Sequence, residues 1–352
     1  MSGGVTGPGA ELARRYHDEV VAPLLARHLP AVPYAAGRLG AGSDVLGLDD
    51  ATSRDHDWGL RLTLLVAAGD EGPVDALLER ELPAAVDGLP TRFALTWDPV
   101  VRHRVEVTTL EAFTTARLGV DATRDLDLTA WLSLTGQAVL EVVAGPVFAD
   151  ADRRLAAVRR RLAWYPDDLA LHLVAVDWAR FDEELPFVGR TGERGDDLGS
   201  RTIAARLAGV LVHLGFLLER RWPPYPKWRG TVFAGLPSAG AAVEHLDGAL
   251  RADRWQDREA ALCAAADVLL DVQRRAGQPS PPDGEAVQPF HDRPFRAVRP
   301  EVGRRLLDAV RDPDVRALPR AVGSVEQWSD SVALLTDPGL RRAVSAPTAR
   351  PR

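Results

Sequence analysis

The sequence predicts an α+β fold: an N-terminal mixed sheet with flanking helices, followed by an all-α helical domain. Three observations carry that expectation. Leu60, Leu62, Leu64 and Val66 alternate with period two, the mark of a strand buried on one face. Leu12, Tyr16, Val20, Leu24 and Leu25 instead share one face of a helix. Beyond about residue 126 only the helical period persists.

The elements follow in order. Residues 1–8 are small or polar and are expected to be disordered. A helix over 11–28 ends at Pro30 and Pro33, and a short strand is expected at 34–39, before the turn GRLGAGSDVLG. A long strand is expected over 55–67. A helix opened by a first-turn proline follows over 73–86, then strands at 91–97 and 101–108, and a helix over 110–118 that stops at Gly119. The helical half is expected at 127–143, 151–163, 167–185, 197–221, 238–253 and 256–276. The linker AGQPSPPDGEAVQP at 276–289 separates these from a last helix at 299–311, and 343–352 reads as a disordered tail. The domains are therefore expected at 9–122 and 126–342.

Composition narrows the function classes. With 352 residues, 46% hydrophobic and 26% charged, the chain has the length for two domains and the apolar side chains for their cores. A net charge of -7 argues against a nucleic-acid partner, which normally meets a broad basic footprint. Neither a membrane-spanning run nor a signal-peptide layout stands out. Cys263 is the only cysteine, so neither a disulfide framework nor a thiolate metal cluster is expected, and a cytoplasmic setting is.

The chemistry concentrates in GAGSDVLGLDDATSRDHDWG, residues 40–59. On an extended strand Asp55 and Asp57 share a face and His56 takes the other. Two carboxylates so placed repel unless a cation sits between them, and magnesium, a hard cation shared with substrate phosphates, suits them. Gly42 lets backbone approach a phosphate, and Ser43 adds a hydroxyl and an amide donor. Two-metal phosphoryl chemistry needs a third acid. Glu106, flanked by Val105 and Val107 in RHRVEVTTL, is the candidate. The competing reading is a solvated polar loop in which Ser53 or Asp55 caps a neighbour.

Gly-Ser, about ten residues, Asp-x-Asp on a strand and a later strand acid resemble the polymerase-β-like nucleotidyltransferases, which include aminoglycoside- and lincosamide-modifying enzymes. More closely, GSDVLGLDD with SRDHDWG, WYPDD, RGDDLGS, PPYPKW and GSVEQWSDS resembles a bacterial domain-of-unknown-function family with a nucleotidyltransferase-like core, over roughly 35–338. The resemblance implies Asp55, Asp57 and Glu106 as catalytic metal ligands for two magnesium ions, and Gly42-Ser43 as the phosphate-binding turn. It implies ATP or another nucleoside triphosphate as substrate. Two features depart from the pattern: Asp44, Asp49 and Asp50 crowd acid beside the turn, and His56 stands where an apolar residue is usual.

The helical half offers weaker signals. Lys227 is the sole lysine in a chain that otherwise uses arginine, and it sits in RRWPPYPKWRG between Tyr225 and Trp228. A compact ammonium suits a single phosphate oxygen, with Tyr225 near the base or acceptor; the alternative is an aromatic loop packing an interface. In GERGDDLGS, Asp196 or Asp197 is either a helix cap or a general base for the acceptor, with Arg194 on a phosphate. His172 and His213 lie in apolar helices and read as core residues. The expected function is transfer of a nucleoside monophosphate, AMP from ATP, to a hydroxyl of a small-molecule or protein acceptor. The alternative is a nucleotide-binding regulator or antitoxin-like partner without turnover.

Overall fold

The computed structural model describes residues 7–50, 58–96 and 98–345. The chain divides into two compact units, the first holding residues 1–126 and 138–163 and the second residues 127–137 and 164–352.

In the first unit α1 (Pro8–Tyr16) runs through a π-helical turn (His17–Val21) into α2 (Ala22–His28). The wider turn carries the apolar face from Tyr16 to Val21, so Val21 is fully buried and Val20, expected on that face, only partly. Next come β1 (Ala35–Gly37), β2 (Arg61–Leu65), α3 (Glu71–Glu81), the hairpin β3 (Ala85–Val86) and β4 (Leu89–Pro90), β5 (Arg92–Leu95), β6 (Asp98–Thr108) and α4 (Leu110–Leu118). Gly119 ends α4 at φ 85°, in the left-handed region that a residue with a Cβ adopts at a cost. The chain then passes α5 (Leu128–Ser133) and α6 (Gly136–Val143) and returns to the first unit with β7 (Val147–Asp150) and α7 (Arg154–Arg161).

The sheet is five-stranded and mixed, in the order β5-β6-β2-β1-β7. β2 runs parallel to β6, while β1 is antiparallel to both β2 and β7. Leu62, Leu64 and Val105 turn one face into the core with Leu12, Tyr16, Val74, Leu77 and Leu78. The sheet differs from expectation in two places. β2 opens at Arg61: just ahead of it Gly59 takes φ 148° and accepts from the Arg61 amide at 2.9 Å, a turn where strand pairing was expected, while residues 55–57 of the expected strand lie outside the described residues. β7 lies in sequence where only helices were expected, and residues 138–163 fold with the first unit.

The second unit is built on long helices: α8 (Asp167–Gly192), α9 (Asp197–Leu218), α10 (Pro226–Ala234), α11 (Val243–Arg251) and α12 (Trp255–Arg275). Among the described residues α9 alone is long and apolar enough to cross a membrane, and 61% of its apolar window is buried in the fold. The unit is not purely helical. β8 (Val287–Pro289) and β9 (Arg296–Val298) pair antiparallel, β8 falling inside the expected linker. Val298 donates to Asp182 at 2.7 Å, which ties the ladder to α8. Short helices α13 (Pro300–Ala309), α14 (Pro313–Arg316), α15 (Val325–Trp328), α16 (Val332–Thr336) and α17 (Pro338–Ser345) complete the unit.

Candidate functional site

Strand register gathers part of the expected site at one end of the first unit's sheet. Glu106 of β6 and Gly37 of β1 both pair with Thr63 of β2, from its two sides. Because β1 is antiparallel to β2, the turn leaving β1 stands at the end where β2 begins. Gly42-Ser43 and Glu106 therefore come from the two strands that flank β2. Asp55 and Asp57, with His56, precede β2 in sequence and lie outside the described residues.

The turn is shaped by a buried ion pair. Arg38, 2% exposed, donates from Nε and Nη2 to the Asp44 carboxylate at 2.6 and 2.9 Å, and to the Leu39 and Ala41 carbonyls at 2.6 and 2.9 Å. Gly42 has φ 146°, and a Cβ there would stand 2.2 Å from Asp44 Oδ1 and 2.5 Å from Arg38 Nη2. The glycine thus has a structural reason of its own. The Ser43 carbonyl accepts from Leu46 and Leu48 at 3.1 and 2.9 Å. Asp44 and Asp49, the acids that crowd the motif, are already employed: Asp44 neutralises Arg38, and Asp49 accepts the Gly9 amide at the start of α1 at 2.8 Å.

Glu106 is paired as well. Arg117, in the last turn of α4, donates from Nη2 to both Glu106 oxygens, at 2.9 and 2.8 Å. Arg117 Nε lies 3.6 Å from Glu141 of α6, and its guanidinium carbon 5.2 Å from the Phe113 ring centre. Arg117 belongs to no motif; its only sequence signal is a cation closing the helix that follows the Glu106 strand. Carboxylate oxygens are the right donors for magnesium, but those of Glu106 are held by Arg117, and no group of three metal-ligating side chains forms among the described residues. The described residues by themselves do not make a magnesium site.

The remaining candidates belong to the second unit. Lys227 is exposed in the first turn of α10, its Nζ 4.8 Å from the Trp228 ring centre. The Tyr225 amide donates to Gln137 at 3.2 Å, and burial pushes the Tyr225 phenol above its ordinary range. Arg194 is exposed between α8 and α9. Asp196 caps α9, accepting from the Gly199 amide at 2.8 Å. Asp197 pairs with Arg201 at 2.6 Å and with Arg258, and the Arg201 hydrogen bond, followed by that of Arg258, holds its carboxyl below the ordinary range.

Sequence reasoning took His213 as a core residue and missed its partner. His213 Nδ1 is 2.6 Å from Asp177 Oδ2, both side chains being buried. Burial alone lowers the imidazole's pKa, but Asp177, by charge and hydrogen bond, raises it above its ordinary value. Gln327 donates to Asp177 Oδ1 and to the Leu173 carbonyl, both at 2.8 Å. Its neighbour Glu326 accepts the Gly136 amide at 2.9 Å, and burial raises the pKa of that carboxyl. The GSVEQWSDS motif is buried over residues 323–327 and ties helices together through Glu326 and Gln327, while its Trp328 stands half-exposed. Beside it Tyr165 packs on Trp222, with ring centres 4.5 Å apart, and on Trp131, at 5.9 Å.

Comparison with known proteins gives a local match. Residues 131–229 match the model of a family described as Domain of unknown function (DUF4037). That stretch holds Asp177, His213 and the aromatic cluster. No curated protein matches. Among solved structures, a nucleotidyltransferase-like protein from Exiguobacterium sibiricum 255-15 is similar at 15% identity and TM-score 0.34, over 76% of each chain. A likeness at that TM-score carries no weight here. The chain is thus tied by sequence, over residues 131–229, to a domain of unknown function.

Proposed function

We propose that the chain is a nucleotidyltransferase that takes a magnesium-bound nucleoside triphosphate, ATP foremost, and moves its nucleoside monophosphate to a hydroxyl of a small-molecule or protein acceptor. The observation that carries this reading is the register of β1, β2 and β6. It brings Gly42-Ser43 and Glu106 to the strands on either side of the one that Asp55 and Asp57 lead into. In this reading the Ser43 amide and hydroxyl bind phosphate oxygens, and Asp55 and Asp57 engage the triphosphate's magnesium, which supplies charge neutralisation. The acceptor oxygen forms a bond to the α-phosphorus as the bond to the pyrophosphate oxygen breaks, and the hydroxyl proton passes to a base.

One observation favours a second reading. Both Glu106 oxygens are held by Arg117, as suits a protein that binds nucleotide without turnover. Pyrophosphate release from ATP and magnesium across a panel of hydroxylated acceptors separates the two. The enzyme reading expects release that falls at least about a hundredfold in Asp55→Ala and Asp57→Ala. Nucleotide-dependent thermal stabilisation without pyrophosphate from any acceptor supports the regulator instead.

A further inference from the structure

The second unit holds a cavity of about 300 Å³, at the lower end of the range of about 300–1,000 Å³ that small-ligand sites occupy. Two side chains of α8, one helical turn apart, build its wall. Asp168 accepts the Arg311 and Asp312 amides at 2.8 and 2.5 Å. His172, 2% exposed, donates from Nε2 to the Val322 carbonyl at 2.8 Å. Both ends of the segment 311–322 are thereby pinned to one helix. Burial lowers the pKa of His172, so its ring stays neutral in neutral solution and its one N–H is spent on that carbonyl.

The pinned segment presents Arg316 and Arg320 at the cavity. Neither guanidinium forms an ion pair or hydrogen bond among the described residues. Asp308, an acid in the same lining, is met instead by Arg304 at 3.4 Å. Leu307, Val310, Val315 and Leu318 supply apolar wall, Val310 and Val315 being buried. Unmatched cations beside apolar wall suit a ligand with an anionic head and a hydrocarbon body, and a guanidinium fork matches the paired oxygens of a carboxylate or a phosphate. Both arginines are exposed, so their pairing with an anion is screened by water and the apolar wall has to share the binding.

We propose that this cavity binds a small organic anion, a carboxylate or phosphate carried on an apolar body, with Arg316 and Arg320 on the head and the leucine and valine wall on the body. Pinning the segment at Asp168 and His172 holds the backbone of both arginines in place before the ligand arrives, so less order is lost on binding. Every residue of the site belongs to the second unit, and it stands or falls apart from the nucleotide reading.

The test is calorimetric titration of the full chain, at physiological ionic strength, with phenyl phosphate, benzoate and inorganic phosphate. Saturable binding of phenyl phosphate or benzoate is expected, the tighter of the two identifying the head. Inorganic phosphate, which lacks the body, is expected to bind more weakly than phenyl phosphate, and benzyl alcohol, which lacks the charge, not to bind. Arg316→Gln and Arg320→Gln are each expected to weaken the tighter probe about three- to tenfold, and the double variant more than either. Both side chains are exposed and unpaired among the described residues, so these variants are expected to fold, which thermal melts check. Arg311→Gln alters an exposed arginine outside the lining and is expected to leave the affinity unchanged. Four results would each overturn the proposal: no saturable binding of either organic anion, binding that survives the double variant, an equal loss in Arg311→Gln, or benzyl alcohol binding as tightly as the anions.

Discussion

Asp44→Ala is expected to destabilise the first unit by about 3–5 kcal/mol. Arg38 is 2% exposed and Asp44 7%, so removing the carboxylate leaves a buried guanidinium whose remaining partners among the described residues are the Leu39 and Ala41 carbonyls. The loss is larger than that of a surface ion pair, because the cation is shielded from solvent and among the described residues no second acid pairs with it. Asp44→Asn keeps the shape and is expected to lose less. Chemical denaturation, with hydrogen exchange at β1 and β2 to locate the effect, reads both. Exchange that quickens only in the second unit would contradict the assignment. The prediction also bears on function: if Gly42-Ser43 holds phosphate, the Arg38–Asp44 pair is what holds that turn in shape, and nucleotide affinity is expected to fall with stability.

The second large effect lies in the other unit. Asp177→Ala removes the buried partner of His213 and an acceptor of Gln327, and about 3–5 kcal/mol is again expected. Here pH adds a signature. The folded pKa of His213 is raised by Asp177, against burial, so its contribution is whole below the unfolded value of about 6.5. It is lost as pH rises through the folded value. Wild-type stability should therefore decline on the alkaline side more steeply than that of Asp177→Ala. Burial also raises the pKa of Glu326, which slopes in the same direction; Glu326 and His213 act on each other by charge, so the difference between the two profiles reports the Asp177–His213–Glu326 group together. Thermal melts across the neutral and alkaline range check this, and parallel profiles would refute the coupling.

The sequence carried much of this structure because its signals were local. The alternation through Leu62 and Leu64 placed β2, and Gly119 placed the end of α4. What it concealed depends on partners remote in the chain. β7 is four residues with no alternation of burial, and becomes a strand only by pairing with β1. The π-helical turn moves burial from Val20 to Val21, which a period of 3.6 does not anticipate. At the site, the residue types of the Gly-Ser and Glu106 positions were legible, but their neutralisation was not. Asp44 looked like surplus charge beside a phosphate turn until Arg38 was placed next to it. Asp49 likewise needed the start of α1, and Glu106 needed Arg117. In the second unit Asp196 meets a need written beside it, a helix start. Asp177 meets one written on another helix and in GSVEQWSDS, which no reading of its own segment reveals.

The proposed activity depends first on binding a nucleoside triphosphate through magnesium. Calorimetric titration with a non-hydrolysable ATP analogue tests it most directly. The expected result is saturable binding that requires magnesium, disappears with chelator and is lost in Asp57→Ala while that variant remains folded. No metal-dependent binding of any nucleoside triphosphate analogue to the folded wild-type chain would contradict it.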